Sequence, residues 1–324
     1  MAHSSPVVFG PVPSRRLGRS LGINHVLGKT CSYSCVYCQV GRTRRLTIER
    51  QAFRSVDTIE RAVGRRLAVA VAGGERVDYL SFVTTGEPTL DIHLGDAVRR
   101  LRRFGIRIAV VTNASLLWRP DVRDDLQEAD WVSVKVDAAV ESTWRRVNRP
   151  HGRLSFTQTI EGLLAFGREC RRTLATETMI VAGVNDGVSD LSAVADLLGS
   201  LGPKVAYLSA PTRPPAEAWV HSPEPAILAS ARDILSGRVP AVRCLYSEED
   251  GDFSASGDAV AALLATAAVH PLRQDVVDGL LRRGGCDART LARLVESKRL
   301  TPIVHRDQVY YRSGATNAAA GRKE

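Results

Sequence analysis

The sequence predicts an α/β fold in which parallel strands alternate with helices. Short apolar runs and amphipathic stretches follow one another over about 220 residues of the chain. Strands that alternate with helices of this length are typical of βαβ units, which form parallel sheets. Six such units favour a partial (β/α)6 barrel or an open sheet, with the active site at the carboxyl ends of the strands.

Each predicted strand is a short apolar or alternating run that ends in turn or polar residues. The strands are Leu21–Val26, Tyr79–Thr85, Ile106–Thr112, Trp131–Ala138, Leu174–Val181 and Val205–Ala210. The predicted helices show apolar residues at helical spacing. They are Val56–Ala72, Leu94–Phe104, Asp121–Glu128, Phe156–Cys170, Ser189–Leu201 and Pro225–Leu235.

The pattern changes near residue 240. The acidic, Gly- and Ser-containing run Ser247–Ser256 indicates a linker. Beyond it, the sequence predicts helices Asp258–Val269, Leu272–Arg283 and Ala288–Ser297, then a hairpin of Ile303–His305 with Val309–Arg312. Three helices and a hairpin are the outline of a winged helix. We therefore expect a barrel domain at 1–240, a linker at 241–257, a winged-helix-like domain at 258–313 and a disordered tail at 314–324.

Composition excludes several classes of protein. Hydrophobic residues make up 44% of the 324 residues and charged residues 24%, which is ordinary for a globular protein and unlike a disordered, collagenous or disulfide-rich chain. No run of about 18 apolar residues is free of charge, so we expect no membrane span. The first residues lack the features of a secretory signal. These observations favour a cytoplasmic protein without a membrane partner.

Basic residues are concentrated at the two ends of the chain. Residues 1–50 hold eight Lys or Arg against one acid, and residues 270–323 hold eleven against five, within a net charge of +9. Such regions attract anionic partners, nucleic acid among them. A solvated arginine-rich surface is the alternative explanation.

Three of the six cysteines, Cys31, Cys35 and Cys38, fall within eight residues with C-x3-C-x2-C spacing. In a reducing compartment such a cluster favours metal binding over disulfides. Three thiolates suit a [4Fe–4S] cluster that leaves one iron open to another ligand, since ordinary clusters take four cysteines. Zinc with His25 as the fourth ligand is an alternative, because structural zinc prefers four protein ligands. A surface cluster without metal is the third.

The cysteine loop, with aromatic Tyr37 before the last cysteine, resembles the signature of the radical S-adenosylmethionine (SAM) superfamily. The resemblance implies that the three cysteines bind one [4Fe–4S] cluster and that SAM chelates the open iron. It also implies one-electron cleavage of SAM to a 5′-deoxyadenosyl radical, which takes a hydrogen atom from a substrate. The expected fold is then a partial (β/α)6 radical SAM barrel with a C-terminal winged-helix unit.

Further motifs lie at the strand ends where this family binds SAM. Thr85, Gly86, Glu87 and Pro88 resemble the glycine–glutamate motif that holds the SAM ammonium group. Asn113 resembles a residue that contacts the ribose or carboxylate of SAM. Ser133, Lys135 and Asp137 share one face of their strand by alternation, so Ser133 and Asp137 are candidates for the same groups. A Lys135–Asp137 ion pair that only fills the barrel is the alternative.

The opening GPVPSRRLGRSLGIN and the run YLSAPTRPP resemble a narrower group of stand-alone proteins related to the wyosine-base synthases, which modify tRNA. Those enzymes bind a second cluster through further upstream cysteines, whereas residues 1–30 contain none here. They also form a Schiff base on a lysine, for which Lys135 is the candidate catalytic residue. The wyosine reaction itself is not carried over to this chain.

Three functions remain open at this stage. The first is radical SAM modification of RNA or tRNA, with SAM as cosubstrate and an electron donor such as flavodoxin or ferredoxin. The second is modification of a peptide or small metabolite, with the winged helix as the partner-binding module. The third is a non-enzymatic zinc-binding regulator that acts on DNA.

Overall fold

The computed structural model describes residues 6–246, 258–287 and 289–314. Most strands up to residue 246 belong to one sheet. The strands are β1 (Val8–Ser14), β2 (Gly18–Ile23), β3 (Thr30–Cys31), β4 (Arg45–Leu46), β5 (Tyr79–Phe82), β6 (Arg107–Thr112), β7 (Trp131–Lys135), β8 (Thr173–Met179), β9 (Val205–Ser209) and β10 (Val242–Cys244). The helices of this region are α1 (Val56–Ala72), α2 (Leu94–Leu101), α3 (Pro120–Gln127), α4 (Glu141–Asn148), α5 (Phe156–Glu169), α6 (Val188–Leu201) and α7 (Pro225–Ser236).

The main sheet has eight strands in the order β1-β2-β5-β6-β7-β8-β9-β10, while β3 and β4 form a separate pair. Only β1 runs antiparallel to its neighbour. All six predicted strands lie in this sheet, so the prediction of an α/β fold with a mostly parallel sheet is confirmed. The sheet also continues through β10, four residues into the segment that the sequence assigns to the linker.

The sheet is curved. Leu17 lies between β1 and β2, Leu245 follows β10, and both join one apolar cluster with Ala109, Trp131 and Tyr207. Because these residues come from both ends of the sheet, the strands wrap round the cluster. The opposite face, which includes Val132 and Val134 of β7, packs beneath the helices in the main core. The alternation predicted for β7 is therefore found, and it directs Lys135 to the concave side.

The C-terminal residues form α8 (Ala259–Val269), β11 (Leu272–Arg273), α9 (Gln274–Arg283), α10 (Thr290–Glu296), β12 (Leu300–His305) and β13 (Gln308–Ser313). The strands make a three-stranded antiparallel sheet in the order β11-β13-β12. The predicted helices and hairpin are present, although residues 272 and 273 form a strand rather than the start of a helix. The identification as a winged helix stays a prediction. The linker residues 247–257, Ala288 and the tail from 315 onward lie outside the described residues.

The C-terminal unit, residues 258–314, packs directly on the barrel. Phe9 and Val12 of β1 share an apolar cluster with Leu263 of α8 and Leu280 of α9. Phe9 is 3% exposed and Val12 is 8% exposed, so their burial depends on this contact. Within the described residues, no helix is long and apolar enough to cross a membrane.

Candidate active site

A cavity of about 330 Å³ lies at the carboxyl ends of β5 to β9, the edge where the sequence predicts the active site. A volume of this size is typical of ligand-binding sites. Eight of the predicted site residues line it: Cys31, Cys35, Tyr37, Cys38, Gly86, Glu87, Asn113 and Lys135. Four others, Thr85, Pro88, Ser133 and Asp137, do not.

The three cysteines of the loop are unpaired thiols, and each sulfur accepts a hydrogen bond from a different part of the chain. Asn113 Nδ2, after β6, donates to Cys31 Sγ over 3.5 Å, and Asn148 Nδ2, at the end of α4, donates to Cys35 Sγ over 3.5 Å. Lys29 Nζ donates to Cys38 Sγ over 2.9 Å. Such donors stabilise thiolate ligands, and hydrogen bonds to cluster sulfurs adjust a cluster's potential.

The thiols differ in acidity. Burial raises the pKa of Cys31 to about 11 and that of Cys35 to about 12, with the Asp137 carboxylate adding to the second shift. Burial acts in the same direction on Cys38, but the charge and hydrogen bond of Lys29 outweigh it and lower the pKa of Cys38. Cys38 is therefore the sulfur that ionises most readily.

The donor set fits a [4Fe–4S] cluster. Three free thiols face one cavity, and their hydrogen-bond partners are donors that favour thiolates. Within the described residues, no three His, Cys, Asp or Glu side chains are arranged to hold a metal ion directly. His25, the fourth ligand of the zinc alternative, does not line this cavity. His25 is fully buried against the ring of Phe82, and its Nε2 lies 3.4 Å from the Pro88 carbonyl.

Glu87 is held rigidly at the cavity wall. Its Oε1 accepts hydrogen bonds from the Thr89 amide (3.0 Å), the Thr89 hydroxyl (2.7 Å) and the Thr112 hydroxyl (2.6 Å). Its Oε2 accepts one from the Asn113 amide (2.8 Å). Burial raises the pKa of this carboxyl, while these hydrogen bonds act in the opposite direction. The carboxylate thus links the end of β5 to the end of β6. This structural role is additional to its predicted role toward SAM.

Gly86 brings the same motif against the cysteine loop. A Cβ atom at this position would lie 1.8 Å from the Thr30 carbonyl oxygen, so no side chain fits. The neighbouring Glu87 amide donates to the same carbonyl over 3.0 Å. The absence of a side chain at Gly86 therefore lets the backbone approach Thr30, the residue before Cys31.

Thr85 and Pro88 support the loop from behind. The Thr85 amide donates to Asn24 Oδ1 over 3.0 Å and its hydroxyl donates to the Gly28 carbonyl over 2.9 Å. Pro88 is buried and begins a short 3-10 turn. Neither residue lines the cavity, and their predicted role toward SAM stays a prediction beside this packing role.

Asp137 is a buried hydrogen-bonding centre. It accepts hydrogen bonds from the Tyr37 hydroxyl, from Asn148 Nδ2 over 2.7 Å and from the Met179 amide over 2.8 Å. Lys135 Nζ lies 3.5 Å from its Oδ1. Asp137 is 3% exposed and does not line the cavity; it contacts Tyr37 and Lys135, and a direct contact with SAM stays a prediction.

Ser133 also fails to reach the cavity. It faces the concave side as predicted, but it is 1% exposed and its hydroxyl has no hydrogen-bond partner. Ser133 thus lies in the interior of the sheet's concave side, and its contact with the ribose or carboxylate of SAM stays a prediction.

Lys135 lies deep in the cavity between acidic and aromatic groups. Its Nζ lies 3.3 Å from Glu177 Oε1 on β8 and 4.9 Å from the centre of the Tyr37 ring. Glu177 in turn pairs with Arg16 and accepts a hydrogen bond from the Ser209 hydroxyl over 3.0 Å. Burial lowers the pKa of Lys135, and the Asp137 carboxylate counteracts part of that shift. The Lys135–Asp137 ion pair is present, with Glu177 as a second partner, while Lys135 also lines the cavity, so its catalytic role stays a prediction.

Sequence reasoning missed several residues of the site. Asn148 and Arg16 act through contacts between distant segments, which no local pattern shows, while Lys29 lies two residues before Cys31 and counts in the sequence only as a basic residue. Glu177 could have been predicted, because β8 pairs with β7 in a register that places Glu177 beside Lys135. The remaining cysteines, Cys170, Cys244 and Cys286, lie on separate elements and do not line the cavity.

The chain is similar to proteins of one superfamily. The profile described as Radical SAM superfamily matches residues 26–198, a little over half of the chain. A UPF0026 protein from Methanocaldococcus jannaschii is 40% identical over 309 residues, which cover 94% of this chain and 95% of that protein.

Two solved structures share the fold. A radical SAM methyltransferase from Sphaerobacter thermophilus aligns with a TM-score of 0.53 and 19% identity, covering 71% of this chain and 67% of that one. TYW1 with a lysine–pyruvate adduct bound aligns with a TM-score of 0.51 and 15% identity, covering 68% of this chain and 74% of that one. This chain is a UPF0026 protein of the radical SAM superfamily, whose enzymes use a [4Fe–4S] cluster and SAM.

Proposed function

We propose that this radical SAM enzyme modifies RNA, with one cluster held by Cys31, Cys35 and Cys38. When bound, the cluster and SAM supply one-electron cleavage of SAM and a radical that removes a hydrogen atom from the substrate. The chain's own residues orient these groups: Glu87 and Asn113 at the cavity wall toward SAM, and Lys135 at its base toward the substrate. The electron would come from a small flavin or iron–sulfur protein such as flavodoxin or ferredoxin.

The proposal of an RNA substrate rests on two features of the C-terminal unit. Its His270 lines the cavity. Its exposed residues include seven basic side chains, Arg282, Arg283, Arg289, Arg293, Lys298, Arg299 and Arg306, against five acidic ones, Asp258, Asp275, Asp287, Glu296 and Asp307, of which Asp287 pairs with Arg293. A nucleic acid held there by its phosphates would lie beside the cavity. Because the deep groove of an RNA helix excludes side chains, we expect phosphate and loop contacts rather than insertion of α10.

The basic N-terminal segment contributes less to this surface than its charge predicts. Arg16 pairs with Glu177, Arg50 pairs with Asp121 and Asp125, and Lys29 lies against Cys38. These three side chains stabilise the fold and the cysteine loop. The exposed remainder includes Arg15, Arg44 and Arg45, and also Arg42, which pairs with Glu217.

The cluster is tested by replacing cysteines in matched sets of three. Anaerobic reconstitution of the full chain should give about four iron and four sulfide per chain. Dithionite and SAM should then yield 5′-deoxyadenosine. Replacing Cys31, Cys35 and Cys38 by Ala should abolish both results, whereas replacing Cys170, Cys244 and Cys286 should leave both. Equal iron loss in the two triple variants would contradict the assignment.

The RNA substrate is tested by the salt dependence of binding. Affinity for bulk tRNA should fall steeply with salt, and Arg282→Gln with Arg283→Gln and Arg293→Gln should reduce the slope of log K against log salt. The control replaces Arg102, Arg103 and Arg238 of the barrel by Gln. If the control weakens binding as much, or if affinity does not depend on salt, the RNA proposal is wrong.

A further inference from the structure

The loop from residue 210 to 224, between β9 and α7, reaches the cysteine loop through one buried acidic residue. Glu217 is 6% exposed and does not line the cavity. Its amide donates over 3.1 Å to the carbonyl of Val36, which lies between the second and third cysteines. The Val36 amide donates in turn to the Val147 carbonyl of α4 over 3.0 Å. Glu217 and α4 therefore satisfy both backbone polar groups of the residue between the two cysteines.

The side chain of Glu217 joins two arginines from different segments. Its Oε1 and Oε2 accept hydrogen bonds from Arg42 Nε (2.9 Å) and Arg42 Nη2 (2.7 Å), so the pair is bidentate. Oε1 also accepts a hydrogen bond from Arg149 Nη1 over 2.5 Å. The hydrogen bonds of Arg42 lower the pKa of Glu217, which keeps the carboxylate charged at neutral pH. Because Arg42 lies four residues after Cys38, the carboxylate holds the end of the cysteine loop as well as its middle.

Arg149 extends this contact to the second cysteine. It follows Asn148, whose Nδ2 donates to Cys35 Sγ over 3.5 Å. The carbonyls of Asn148 and Arg149 lie 3.0 and 3.1 Å from the Ser34 amide. The φ of Arg149 is 46°, a left-handed conformation that is unfavourable for a residue with a Cβ atom. The pair with Glu217 stabilises Arg149 in this conformation, beside the donor to the cysteine sulfur.

We propose that Glu217 is a positioning residue for the [4Fe–4S] cluster, which it serves by holding the cysteine loop through Arg42 and Arg149. The inference rests on the proposed function for the cluster and is independent of the RNA substrate. Side chains that hold the ligands of a metal site in place contribute to its affinity without touching the metal. Glu217 receives three hydrogen bonds from guanidinium groups, whereas a glutamine in its place would offer one uncharged oxygen.

The test follows iron rather than turnover. The full chain is reconstituted anaerobically, and the release of its iron to a ferrous chelator is timed. Glu217→Gln should release iron at least about tenfold faster than the wild type, since residues that support metal ligands change affinity by such factors. Arg42→Gln should act in the same direction, and adding it to Glu217→Gln should have little further effect, because both changes break one contact. Arg42 is 73% exposed, so its variant should fold even if Glu217→Gln does not.

The matched control is Glu75→Gln. Glu75 pairs with Arg66 over 3.0 Å, and its side chain is 7% exposed, as is that of Glu217. It lies between α1 and β5, at the amino end of that strand, whereas the cavity lies at the carboxyl ends. Both glutamine variants should lower the urea midpoint of the cluster-free chain, but only Glu217→Gln should release iron faster.

The outcomes separate this role from the proposed function. A wild-type chain that takes up no iron and sulfide would show that the cluster assignment is wrong, and this inference with it. A full cluster in the wild type, with unchanged iron release in Glu217→Gln and Arg42→Gln, would overturn the role of Glu217 alone. Equally fast release in Glu75→Gln would also overturn it, because the effect would then reflect the stability of the whole fold.

Discussion

Lys29 places a positive charge against one of the three cysteines that we assign to the cluster. Its ammonium group is 2.9 Å from Cys38 Sγ, and the residue is 7% exposed. Because a reduced cluster carries one more negative charge, the lysine stabilises it more than the oxidised one. We expect Lys29→Met to shift the midpoint potential to more negative values by about 60 mV, which corresponds to about 1.4 kcal/mol for one electron.

The control for Lys29 is Lys29→Arg, which keeps the charge at the same position. Potentiometric titration followed by electron paramagnetic resonance measures the midpoint directly, without any turnover. A midpoint in Lys29→Met equal to that of the wild type, at equal iron content, would show that the contact only packs the loop.

His25 should make stability depend on pH. Burial lowers its pKa from 6.5 to about 4, so the folded chain keeps the imidazole neutral. Between pH 6.5 and 4 the unfolded chain binds a proton that the folded chain does not, and stability falls as pH falls. The loss amounts to about 2 kcal/mol between pH 7 and 5.

The variant His25→Leu should lack that loss. Urea unfolding at the two pH values should show the variant gaining about 2 kcal/mol relative to the wild type on going from pH 7 to 5. Burial also raises the pKa of Asp91 to about 6, so protonation of this carboxyl stabilises the folded chain over the same range; its Oδ2 lies 3.7 Å from His25 Nε2. Parallel pH profiles of the two proteins would contradict the burial of a neutral His25.

At the scale of single residues, the sequence predicted which chemical groups meet but not which face the ligand. The cysteine spacing and the strand-end motif identified Cys31, Cys38 and Glu87, all of which line the cavity. Alternation identified Asp137 as an inward residue. Its burial depends on Tyr37 and Asn148, which reach it from other segments, and no local pattern encodes that contact.

At the scale of elements, the end of β5 packs closely against the cysteine loop. Gly86→Ala would place a Cβ 1.8 Å from the Thr30 carbonyl oxygen, which is main chain and cannot move aside cheaply. We expect a loss of about 3 kcal/mol or more in unfolding free energy, together with reduced iron content after reconstitution.

Gly152 provides the matched control for that substitution. It lies between α4 and α5, has no atom within 4 Å of an added Cβ, and is not among the positive-φ glycines. Gly152→Ala should change stability by less than about 1 kcal/mol and leave the iron content unaltered. Full iron binding by Gly86→Ala would mean that the cysteine loop does not depend on this contact.

Apolar patterns predicted the central strands well and the edge of the sheet poorly. The sequence of β1 contains Pro11 and Pro13, which argue against a strand because proline cannot donate to a ladder. The structure resolves the conflict by placing β1 at the edge, where it pairs only with β2. The short helix α4 was missed because only Trp144 and Val147 of its eight residues are apolar and buried.

For the whole molecule, the sequence suggested two separable domains, whereas the structure joins them through β1. Phe9 and Val12 lie about 250 residues before the helix that covers them, so the linker pattern could not reveal the contact. The Phe9 ring also lies 6.2 Å from the His270 ring, which links this core to the cavity wall. We infer that the barrel and the C-terminal unit unfold together.

Phe9→Ala tests that cooperativity. The truncation should cost about 3–5 kcal/mol, as for other buried phenylalanines. All four tryptophans lie in the barrel, so their fluorescence follows that part alone, while amide exchange in α8 follows the C-terminal unit. The unfolding midpoints from both signals should shift to lower denaturant concentration by the same amount, because one transition exposes both cores. If α8 exchanges earlier while the fluorescence midpoint stays at its wild-type value, the C-terminal unit opens on its own and the inferred cooperativity is wrong.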